Sequence, residues 1–397
     1  MRLLGLNNSY PPVVRGGYGE ICADVMDGLA ERGHDVTMLV CGESYAPLPS
    51  VDEPMVKREL EYVLAPWRRP VSGLRAAVKD DRVIRRYLAA GVDAVLAWHC
   101  RGIMKSSLRR CHEAGVPVFY FLHDRWVLYE RPGALVIPWA RLDRLGAGLP
   151  RELLGRAVAR RVELRAPPIA RDGHVCYVSH WLRSEHERRG FRPRHDATVP
   201  CGVRVERFAR PTPPANPPAT LLFAGRIEKR KGLDVVIRAL AVADTTWTLT
   251  VVGPVDDPKY ETYVRGLASD LRIDGRIRWC GEVPRATVRA MLAEHDVLVF
   301  PSVGAEAYAL GLLEALAAGV FVVTSAPGGP REYLDDGVNC LIHEPGDSEG
   351  LAGALHRLRT EPQLAATLLA GAARTADAIS LEKVLEQVEG LILDDTQ

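Results

Sequence analysis

The 397-residue sequence lacks several patterns that mark common classes of protein. Its eight cysteines include no Cys-x-x-Cys pair, so we expect no zinc site or redox dithiol, and isolated thiols suit a cytoplasmic protein. The sequence has no run of 18 apolar residues and no apolar segment behind Met1, so neither a membrane-spanning helix nor a signal peptide is expected. An Asp-x-Asp motif is also absent, which disfavours a metal site of that type.

Charge is nearly balanced over the whole chain but not along it. The formal net charge is +1, so composition gives no reason to expect a nucleic-acid partner. Residues 1–205 carry 32 lysines and arginines against 23 acidic residues, whereas the remainder carries 19 against 27. A basic N-terminal half favours an anionic acceptor or a peripheral contact with a lipid surface, and a solvated, arginine-rich surface is the alternative. The same two interpretations apply to the eight arginines of residues 141–171.

Strand-like and helix-like segments alternate along the chain, which predicts α/β domains with mostly parallel sheets covered by helices. In the first half, a helix is expected at 19–32, closed by Gly33, with strands at 2–6, 36–41, 94–98, 116–122 and 175–178. In the second half, strands are expected at 221–224, 248–252, 277–280, 297–300 and 320–324, and helices at 233–242, 260–271, 285–293 and 310–318.

A proline-rich segment separates the two halves. Residues 209–219 hold five prolines, which restrict the chain and cannot donate to a β-ladder. We therefore predict a domain at 1–205, a linker at 206–219, a second domain at 220–378, and a C-terminal helix at 379–397 that packs on either domain. The alternative is a surface loop inside one domain. This organisation predicts two doubly wound, Rossmann-like domains.

The segment from Glu306 to Glu314 places two carboxylates eight positions apart, directly after the predicted strand 297–300. Glu306 then lies in a loop at the carboxyl end of a strand, where open α/β sheets bind ligands, and Glu314 lies in the next helix. Carboxylates accept hydrogen bonds from hydroxyls, and free N–H groups at a helix start hold phosphate. The pair therefore indicates a nucleotide sugar. For Glu306, the alternative is a carboxylate that supports the helix dipole. For Glu314, the alternative is a solvated helix glutamate.

Two further loops have the composition of phosphate-binding sites. Gly16 and Gly17 stand where the first helix begins, which allows a phosphate to approach the backbone closely, although a plain turn is the alternative. This loop does not form the Gly-x-Gly-x-x-Gly fingerprint, which disfavours NAD. Arg226 and Lys231 stand in the loop that opens the second domain and can bind phosphate, with a solvated basic turn as the alternative. Neighbouring Arg230 is expected to be solvated.

An ordered set of motifs resembles the retaining GT-B glycosyltransferases of family 4 over nearly the whole chain. The set comprises Gly16-Gly17, Arg32–Val36, His123-Asp124, Val178-Ser179, Val199–Val203 with Phe208, Gly225-Arg226 with Lys231-Gly232, Val252-Gly253, Phe300–Ser302, the two glutamates, Ala318-Gly319 and Gly328-Gly329 with Glu332. The resemblance implies a GT-B fold, in which two Rossmann-like domains face each other across a cleft. The first domain would bind the acceptor, and the second would bind most of the donor.

The resemblance also implies which residues hold the phosphates of the donor. These are Gly16, Gly17, Arg226, Lys231, Ala309 and Leu310, the last two through backbone N–H groups on the β-phosphate. The family usually has glycine where Ala309 stands, so the added methyl group narrows that approach.

The sugar and nucleoside contacts follow from the same resemblance. Glu306 would bind the hydroxyls of the donor sugar, His123 would lie beside its reacting face, and Glu314 would accept from the ribose. The nucleobase would meet main-chain groups near Gly281 and Val283. His123 has a plainer interpretation, as a hydrogen-bonded residue that ends a buried strand.

These expectations describe a hexosyltransferase that moves a sugar from a UDP- or GDP-sugar to an acceptor hydroxyl with retention of configuration. The catalytic roles fall to Glu306, Arg226, Lys231 and His123, with no metal and no other cofactor. The acceptor would be a glycan, a lipid-linked sugar or a small molecule. A sugar-nucleotide epimerase on the same scaffold and a glycan-binding protein without catalysis are the alternatives. The sequence departs from the family at Cys201, Arg204 and Asn339, where asparagine, aspartate and glycine are usual, and this leaves the donor open.

Overall fold

A computed structural model describes residues 1–12, 17–42, 54–63, 70–103, 105–130, 169–208, 213–215, 217–325 and 327–396. The chain divides into two compact units, one made of Met1–Pro200 with Val384–Gln397 and the other of Cys201–Lys383. Each unit is an α/β domain with its own parallel sheet. None of the helices in these ranges is both long enough and apolar enough to cross a membrane.

The first unit is built on a seven-stranded sheet. Its strands are β1 (Arg2–Asn7), β2 (Asp35–Cys41), β3 (Val56–Leu60), β4 (Ala94–Ala97), β5 (Val118–Leu122), β6 (His174–Tyr177) and β7 (His195–Thr198). They pair in the order β3-β2-β1-β4-β5-β6-β7, and every pairing is parallel. The order reverses between β1 and β4, so the carboxyl ends of these two strands form the switch point at which open sheets bind ligands.

Helices cover the first sheet and bury its central strands. They are α1 (Gly17–Glu31), α2 (Pro70–Ala89), α3 (Lys105–Glu113) and α4 (His180–Arg188). The strands β4 and β5 are buried along their whole length, which explains why the sequence shows them as continuous apolar runs. The C-terminal residues 384–396 join this unit. A Cβ at Gly28 of α1 would lie 2.6 Å from a methyl group of Leu385. Glycine at this position therefore leaves room for the C-terminal helix to pack against α1.

The second unit repeats the same plan with six strands. These are β8 (Thr220–Ala224), β9 (Thr248–Val252), β10 (Ile277–Gly281), β11 (Val297–Phe300), β12 (Phe321–Thr324) and β13 (Leu341–Ile342). They pair in parallel in the order β10-β9-β8-β11-β12-β13, which places the switch point between β8 and β11. The helices of this unit are α5 (Leu233–Val242), α6 (Pro258–Asp270), α7 (Arg285–Glu294), α8 (Leu310–Ala317), α9 (Ser348–Thr360) and α10 (Pro362–Ala378). A last helix, α11 (Leu381–Thr396), belongs to the first unit from Val384 onward.

Most of the predicted elements are confirmed to within a few residues, and two of the strands that were not predicted lie at the edges of the first sheet. The edge strands β3 and β7 carry charged or polar residues, as in His195-Asp196-Ala197-Thr198, and show no apolar run. An edge strand has one neighbour and is partly solvated, so its sequence does not need a continuous buried pattern. The strand β13 and the helices α2, α3, α4, α9 and α10 were not predicted either, although α9 and α10 bury apolar faces.

The predicted linker differs from the division that the structure shows. The compact units separate after Pro200, before the proline-rich segment, and α11 is divided after Lys383. The described end of the segment is fixed to the second unit, because the carboxylate of Asp296 accepts the N–H groups of Ala215 at 2.7 Å and Ala219 at 3.0 Å. Burial raises the pKa of Asp296, but these hydrogen bonds outweigh it and hold the pKa below its usual value. This end of the segment is therefore an anchored part of a domain.

Candidate active site

The loops that follow β8 and β11 meet at the switch point of the second sheet. The β8 loop ends at Gly232, which has a φ of +70° and is the N-cap residue of α5. A Cβ on Gly232 would lie 2.1 Å from the carbonyl oxygen of Pro301 in the β11 loop, so only glycine allows this close approach. The N–H groups of Val303 and Gly304 donate to the carbonyl of Arg230 at 2.9 and 3.2 Å. Direct backbone contacts therefore hold the two loops together.

Glu306 lies at the centre of a charged cluster in these loops. Its Oε1 lies 2.8 Å from Nζ of Lys231 and 2.9 Å from Nη1 of Arg230, and it accepts the hydroxyl of Ser302 at 3.0 Å. The side chains of Lys231 and Glu306 are only 14% and 11% exposed. The ammonium of Lys231 also lies 5.0 Å from the ring centroid of Phe300. Two residues that the sequence singled out 75 positions apart are thus in direct contact.

Burial and ion pairing shift the pKa values of Glu306 and Lys231 in opposite directions. Burial raises the pKa of the Glu306 carboxyl, but Lys231 and Arg230 outweigh it and hold the pKa below its ordinary value. Burial lowers the pKa of Lys231, and the nearby Glu306 carboxylate offsets part of that effect. Glu306 is therefore ionised at neutral pH and can accept hydrogen bonds from hydroxyl groups.

The two arginines of the β8 loop have different surroundings. Arg226 is half-exposed and pairs with Glu228 at 2.8 Å and Asp256 at 2.6 Å. Arg230, which was expected to be solvated, is 39% exposed, but its guanidinium pairs with Glu306 and its stem packs over Gly304. A Lys-Arg-Lys turn gives no sequence signal for which cation points inward, since that depends on a loop 75 residues away.

The helix α8 begins at the end of the β11 loop. Ala309 is its N-cap residue and has φ 58° and ψ 75°, the left-handed conformation that glycine adopts without strain. The predicted phosphate contacts at Ala309 and Leu310 thus lie in the first turn of a helix, where backbone N–H groups have no partner within the helix. No side chain caps this end. The geometry suits an anionic group.

Glu314 is buried in α8 and paired with Arg285. Its side chain is 5% exposed and forms a close ion pair with the guanidinium of Arg285, the first residue of α7. The alternative of a solvated helix glutamate is therefore wrong. Arg285 was not predicted as a site residue, because nothing in the sequence relates it to a glutamate 29 positions away. The predicted nucleobase contacts, Gly281 with φ +68° and Val283, lie at the end of β10 and directly before α7.

Hydrogen bonds also join the loops at the switch point of the first sheet, but there the groups are side-chain amides and a histidine. The side-chain oxygen of Asn7, at the end of β1, accepts the N–H groups of Asn8 and His99, both at 3.0 Å. The Nδ2 of Asn8 lies 2.9 Å from Nδ1 of His99. These amide contacts join the loops after β1 and β4. On the other side of the His99 ring, Nε2 lies 3.3 Å from the carboxylate of Asp124.

His123 follows β5 and is held by Tyr18 of α1. The N–H of His123 donates to the hydroxyl of Tyr18 at 3.2 Å, and that hydroxyl donates to the carbonyl of Phe121 at 2.6 Å. The Tyr18 ring packs edge-on against His123 and stacks on His99, with centroids 4.6 Å apart in each case. Burial lowers the pKa of His123 to about 4, so the ring is neutral at pH 7. Its Nδ1 has no hydrogen-bond partner among the described residues, and a neutral ring can bind a hydroxyl.

Some of the predicted site lies outside the described residues. Gly17 is the first residue of α1, but Gly16 is not described, nor is most of the arginine-rich segment 141–171. Within the described ranges, no group of three or more histidine, cysteine, aspartate or glutamate side chains is placed to hold a metal ion.

Two family models match the chain in succession. The model described as Glycosyltransferase Family 4 matches residues 15–207, and the model described as Glycosyl transferases group 1 matches residues 205–374. The first match covers nearly all of the first sheet, and the second covers the second sheet with its switch point.

Curated relatives extend the similarity over the full length. A phosphatidyl-myo-inositol mannosyltransferase from Mycolicibacterium smegmatis is 26% identical over 393 residues, which cover 97% of this chain and 92% of the relative. A glycogen synthase from Mycobacterium tuberculosis is 27% identical over 92% of this chain and 87% of its own. A D-inositol 3-phosphate glycosyltransferase from Geodermatophilus obscurus is 33% identical over 50% of this chain and 47% of its own.

Solved structures share the fold at low sequence identity. HepE from Anabaena in complex with UDP and glucose has a TM-score of 0.70 and 18% identity, with 99% of both chains covered. Sucrose-phosphate synthase from Thermosynechococcus elongatus has a TM-score of 0.73 and 18% identity, also with 99% of both chains covered. These structures show the GT-B fold, and the two family models, which in succession match residues 15–374, show that the chain is a glycosyltransferase.

Proposed function

We propose that this protein transfers a hexose from a nucleoside diphosphate sugar to an acceptor hydroxyl and retains the configuration of the anomeric carbon. In this proposal the switch point of the second unit binds the donor. Arg226 and Lys231 contact the diphosphate, Glu306 binds sugar hydroxyls, and Glu314 binds the ribose. The match of residues 205–374 to the model of glycosyl transferases group 1 contains all four residues and supports this assignment of roles.

The observation that carries the proposal is the buried contact between Glu306 and Lys231 at the carboxyl ends of β8 and β11. Removing two charges from water costs free energy that their mutual attraction only partly returns, so such a pair is weak evidence for a stabilising role. At a ligand-binding edge the same pair offers a fixed acceptor for hydroxyls beside a cation for phosphate. Donor binding accounts for both charges.

Arg226 adds a cation that is easily released to a ligand. Its two partners, Glu228 and Asp256, are partly exposed, and exposed ion pairs contribute only about 0–1 kcal/mol each. A diphosphate that replaced them would gain bidentate hydrogen bonds from the guanidinium at little cost.

The proposed reaction breaks the bond from the anomeric carbon to the phosphate oxygen and forms a bond from that carbon to the acceptor oxygen on the same face. The leaving phosphate oxygen takes the proton of the acceptor hydroxyl, so no separate base is needed. Negative charge develops on the diphosphate as the bond breaks. Lys231, Arg226 and the first turn of α8 stabilise that charge, and they therefore lower the barrier.

The donor and acceptor are proposed from the similar proteins. The HepE structure holds UDP, which favours a UDP-sugar, with a GDP-sugar as the second choice. The names of two relatives contain phosphatidyl-myo-inositol and D-inositol 3-phosphate, which favours a phosphorylated polyol or a lipid-linked acceptor. A lipid-linked acceptor would bring the basic first half of the chain into peripheral contact with a membrane surface.

The test is a screen of nucleoside diphosphate release from UDP-, GDP-, dTDP- and ADP-sugars. The acceptor arms are none, a soluble inositol phosphate, an oligosaccharide, and phosphatidylinositol in anionic vesicles. We expect acceptor-dependent release with one donor, and NMR of the product should show the anomeric configuration of the donor. Lys231→Ala should lower turnover by about 100-fold or more, because it removes a charge contact made as the bond breaks.

Lys259→Ala is the matched control, since Lys259 is an exposed lysine of α6 and should leave turnover unchanged. Turnover of Lys231→Ala at the parental rate would refute the donor site. An epimerised nucleotide sugar formed without any acceptor would instead support the epimerase, and binding of donor without release would support a glycan-binding role.

A further inference from the structure

We propose that Tyr333 is a positioning residue for the donor, because its hydroxyl holds the turn at Ala309 in the left-handed conformation from which α8 begins. The inference rests on the proposed function, which assigns the N–H groups of this turn to the β-phosphate. It adds a residue outside the predicted site, and it explains how the chain tolerates alanine where the family resemblance expects glycine.

Ala309 needs an external constraint to keep its conformation. It is one of two residues other than glycine with positive φ in the described chain, the other being Arg272. An L-residue with a Cβ is strained in this region, and such conformations persist only where the surroundings over-determine them. At the N-cap of α8, no side chain supplies the usual capping hydrogen bond.

The hydroxyl of Tyr333 supplies that constraint. It donates to the carbonyl oxygen of Tyr308 at 2.6 Å and lies 3.3 Å from the carbonyl oxygen of Ala309. The carbonyl of Tyr308 belongs to the peptide that joins residues 308 and 309, so fixing its direction fixes the peptide plane and with it φ of Ala309. The two tyrosine rings also pack together, with centroids 4.8 Å apart. The contact thus acts directly on the strained torsion.

Tyr333 is itself held from the opposite side by Asn339. The Nδ2 of Asn339 donates to the carbonyl of Tyr333 and to the hydroxyl of Thr375 in α10, both at 2.8 Å. The helix comes close enough at Gly371, where a Cβ would lie 1.9 Å from the carbonyl oxygen of Val338. Asn339 therefore ties the backbone of Tyr333 to α10, and the side-chain hydroxyl of Tyr333 contacts the turn.

Ala309 and Asn339, two departures from the family, are therefore both connected to Tyr333. Asn339 stands where glycine is usual, and so does Ala309. A glycine in place of Ala309 would adopt the left-handed conformation without help, whereas alanine needs the hydroxyl of Tyr333. The other end of the loop is tied independently, since the N–H of Glu306 donates to the carbonyl of Pro327 at 2.8 Å. Loss of the Tyr333 hydroxyl should therefore loosen the phosphate-binding end of the loop and leave the Glu306 end in place.

The experiment is a two-by-two set of native protein, Tyr333→Phe, Ala309→Gly and the double variant. Isothermal titration calorimetry with UDP, or with GDP if UDP does not bind, gives the dissociation constant of each. We expect Tyr333→Phe to weaken binding about fivefold in the native background, the effect of one hydrogen bond, and less than about twofold in the Ala309→Gly background. In steady state the KM for the donor should rise while kcat changes less.

Tyr263→Phe is the matched control, because Tyr263 is an exposed tyrosine of the second unit whose hydroxyl accepts a hydrogen bond from the exposed Arg238. An equal loss of nucleotide affinity on Tyr333→Phe with and without the Ala309→Gly substitution would overturn the inference, since a general loosening does not depend on residue 309. Unchanged affinity in Tyr333→Phe would overturn it as well.

Melting temperatures of the same four proteins separate this inference from the proposed function. If none of the nucleotides binds even the native protein, the donor assignment and the positioning role both fail. The hydroxyl contact to the turn is then still tested by stability, because Tyr333→Phe should lower the melting temperature more in the native background than in the Ala309→Gly background. Equal decreases would refute the contact too.

Discussion

The two units share a strand order but differ in what stands at their switch points. In the second unit the loops after β8 and β11 bring together Lys231, Arg230 and Glu306, with little exposure of the lysine and the glutamate. In the first unit the equivalent loops after β1 and β4 bring together two asparagines and His99, beside the aromatic ring of Tyr18. One edge is charged, and the other is amide-lined and aromatic.

The difference shows which part of function the strand order determines and which part the loop residues determine. Reversal of strand order opens a crevice at the carboxyl ends of both sheets, whatever residues line it. The loops then decide the ligand: cations with a helix start favour phosphate, and a neutral histidine beside aromatic rings favours hydroxyl groups or an apolar surface. This contrast supports the proposal that the charged edge binds the donor, and variants of both edges test it.

Arg226→Ala should give the largest change. Removing this guanidinium takes a charge contact from the leaving diphosphate, so turnover should fall by about 100-fold. The affinity for the free nucleoside diphosphate should fall as well, as measured by calorimetry. Arg238→Ala, which removes an exposed arginine of the same unit, should change neither quantity. If Arg226→Ala kept the parental turnover, the proposal that the charged edge binds the donor would be contradicted.

Glu306→Gln should lower stability by about 2 kcal/mol at pH 7, because it leaves the Lys231 cation buried without a charged partner. The folded-state pKa of Glu306 lies below its unfolded value near 4.5. The stabilisation by the native carboxylate is therefore complete above that pH and is lost as the pH falls through the folded pKa. The difference in melting temperature between native protein and variant should shrink as the pH falls below that unfolded value, whereas a difference that stays constant throughout the acid range would contradict the ion pair.

His123→Gln should have the smallest effect and should spare nucleotide binding. We propose that the neutral imidazole of His123 binds a substrate hydroxyl, so its loss should lower kcat/KM about tenfold. The dissociation constant for the free nucleoside diphosphate should stay unchanged, because the charged edge binds it. A parallel loss of nucleotide affinity would contradict the proposal that the charged edge alone binds the nucleotide.

The same variant has a pH signature in stability. The folded-state pKa of His123 is about 4, below its unfolded value of 6.5, so the unfolded chain binds an extra proton between these values. The contribution of the neutral ring is present above pH 6.5 and is lost as the pH falls toward 4. The native protein should therefore lose more melting temperature than His123→Gln over that range. Identical pH profiles would contradict the burial of the ring.

Elements with a strong local pattern were predictable from the sequence. The strands β9 and β11 and the helix α5 begin and end at the predicted residues, because each pattern is bounded by turn residues and the buried side chains are mostly apolar. The edge strands β3 and β7 were missed because partial solvation leaves them without an apolar run. The division after Pro200 was missed because proline content reports local stiffness and does not report which domain a segment is tied to.

The site was predictable where residue type and loop position suffice. Glu306 and Lys231 were chosen in loops that follow strands, and Glu314 in the helix after the β11 loop, and the structure has these residues in those elements. Arg230, Arg285 and Tyr333 could not be chosen in this way. Each acts through a contact with another loop or helix, at a sequence separation that no local pattern records.

The sequence by itself determined two alternating α/β domains, the strand ends at which ligands bind, and the type of chemical group at each end. These properties depend on periodicity and composition, which act over a few residues. Only the tertiary structure decided which groups meet: that Lys231 and Arg230 share one carboxylate, that Glu314 is buried against Arg285, and that a tyrosine 24 residues away holds Ala309. Such contacts depend on how separate loops approach one another, and close packing fixes that approach only when the whole domain has folded.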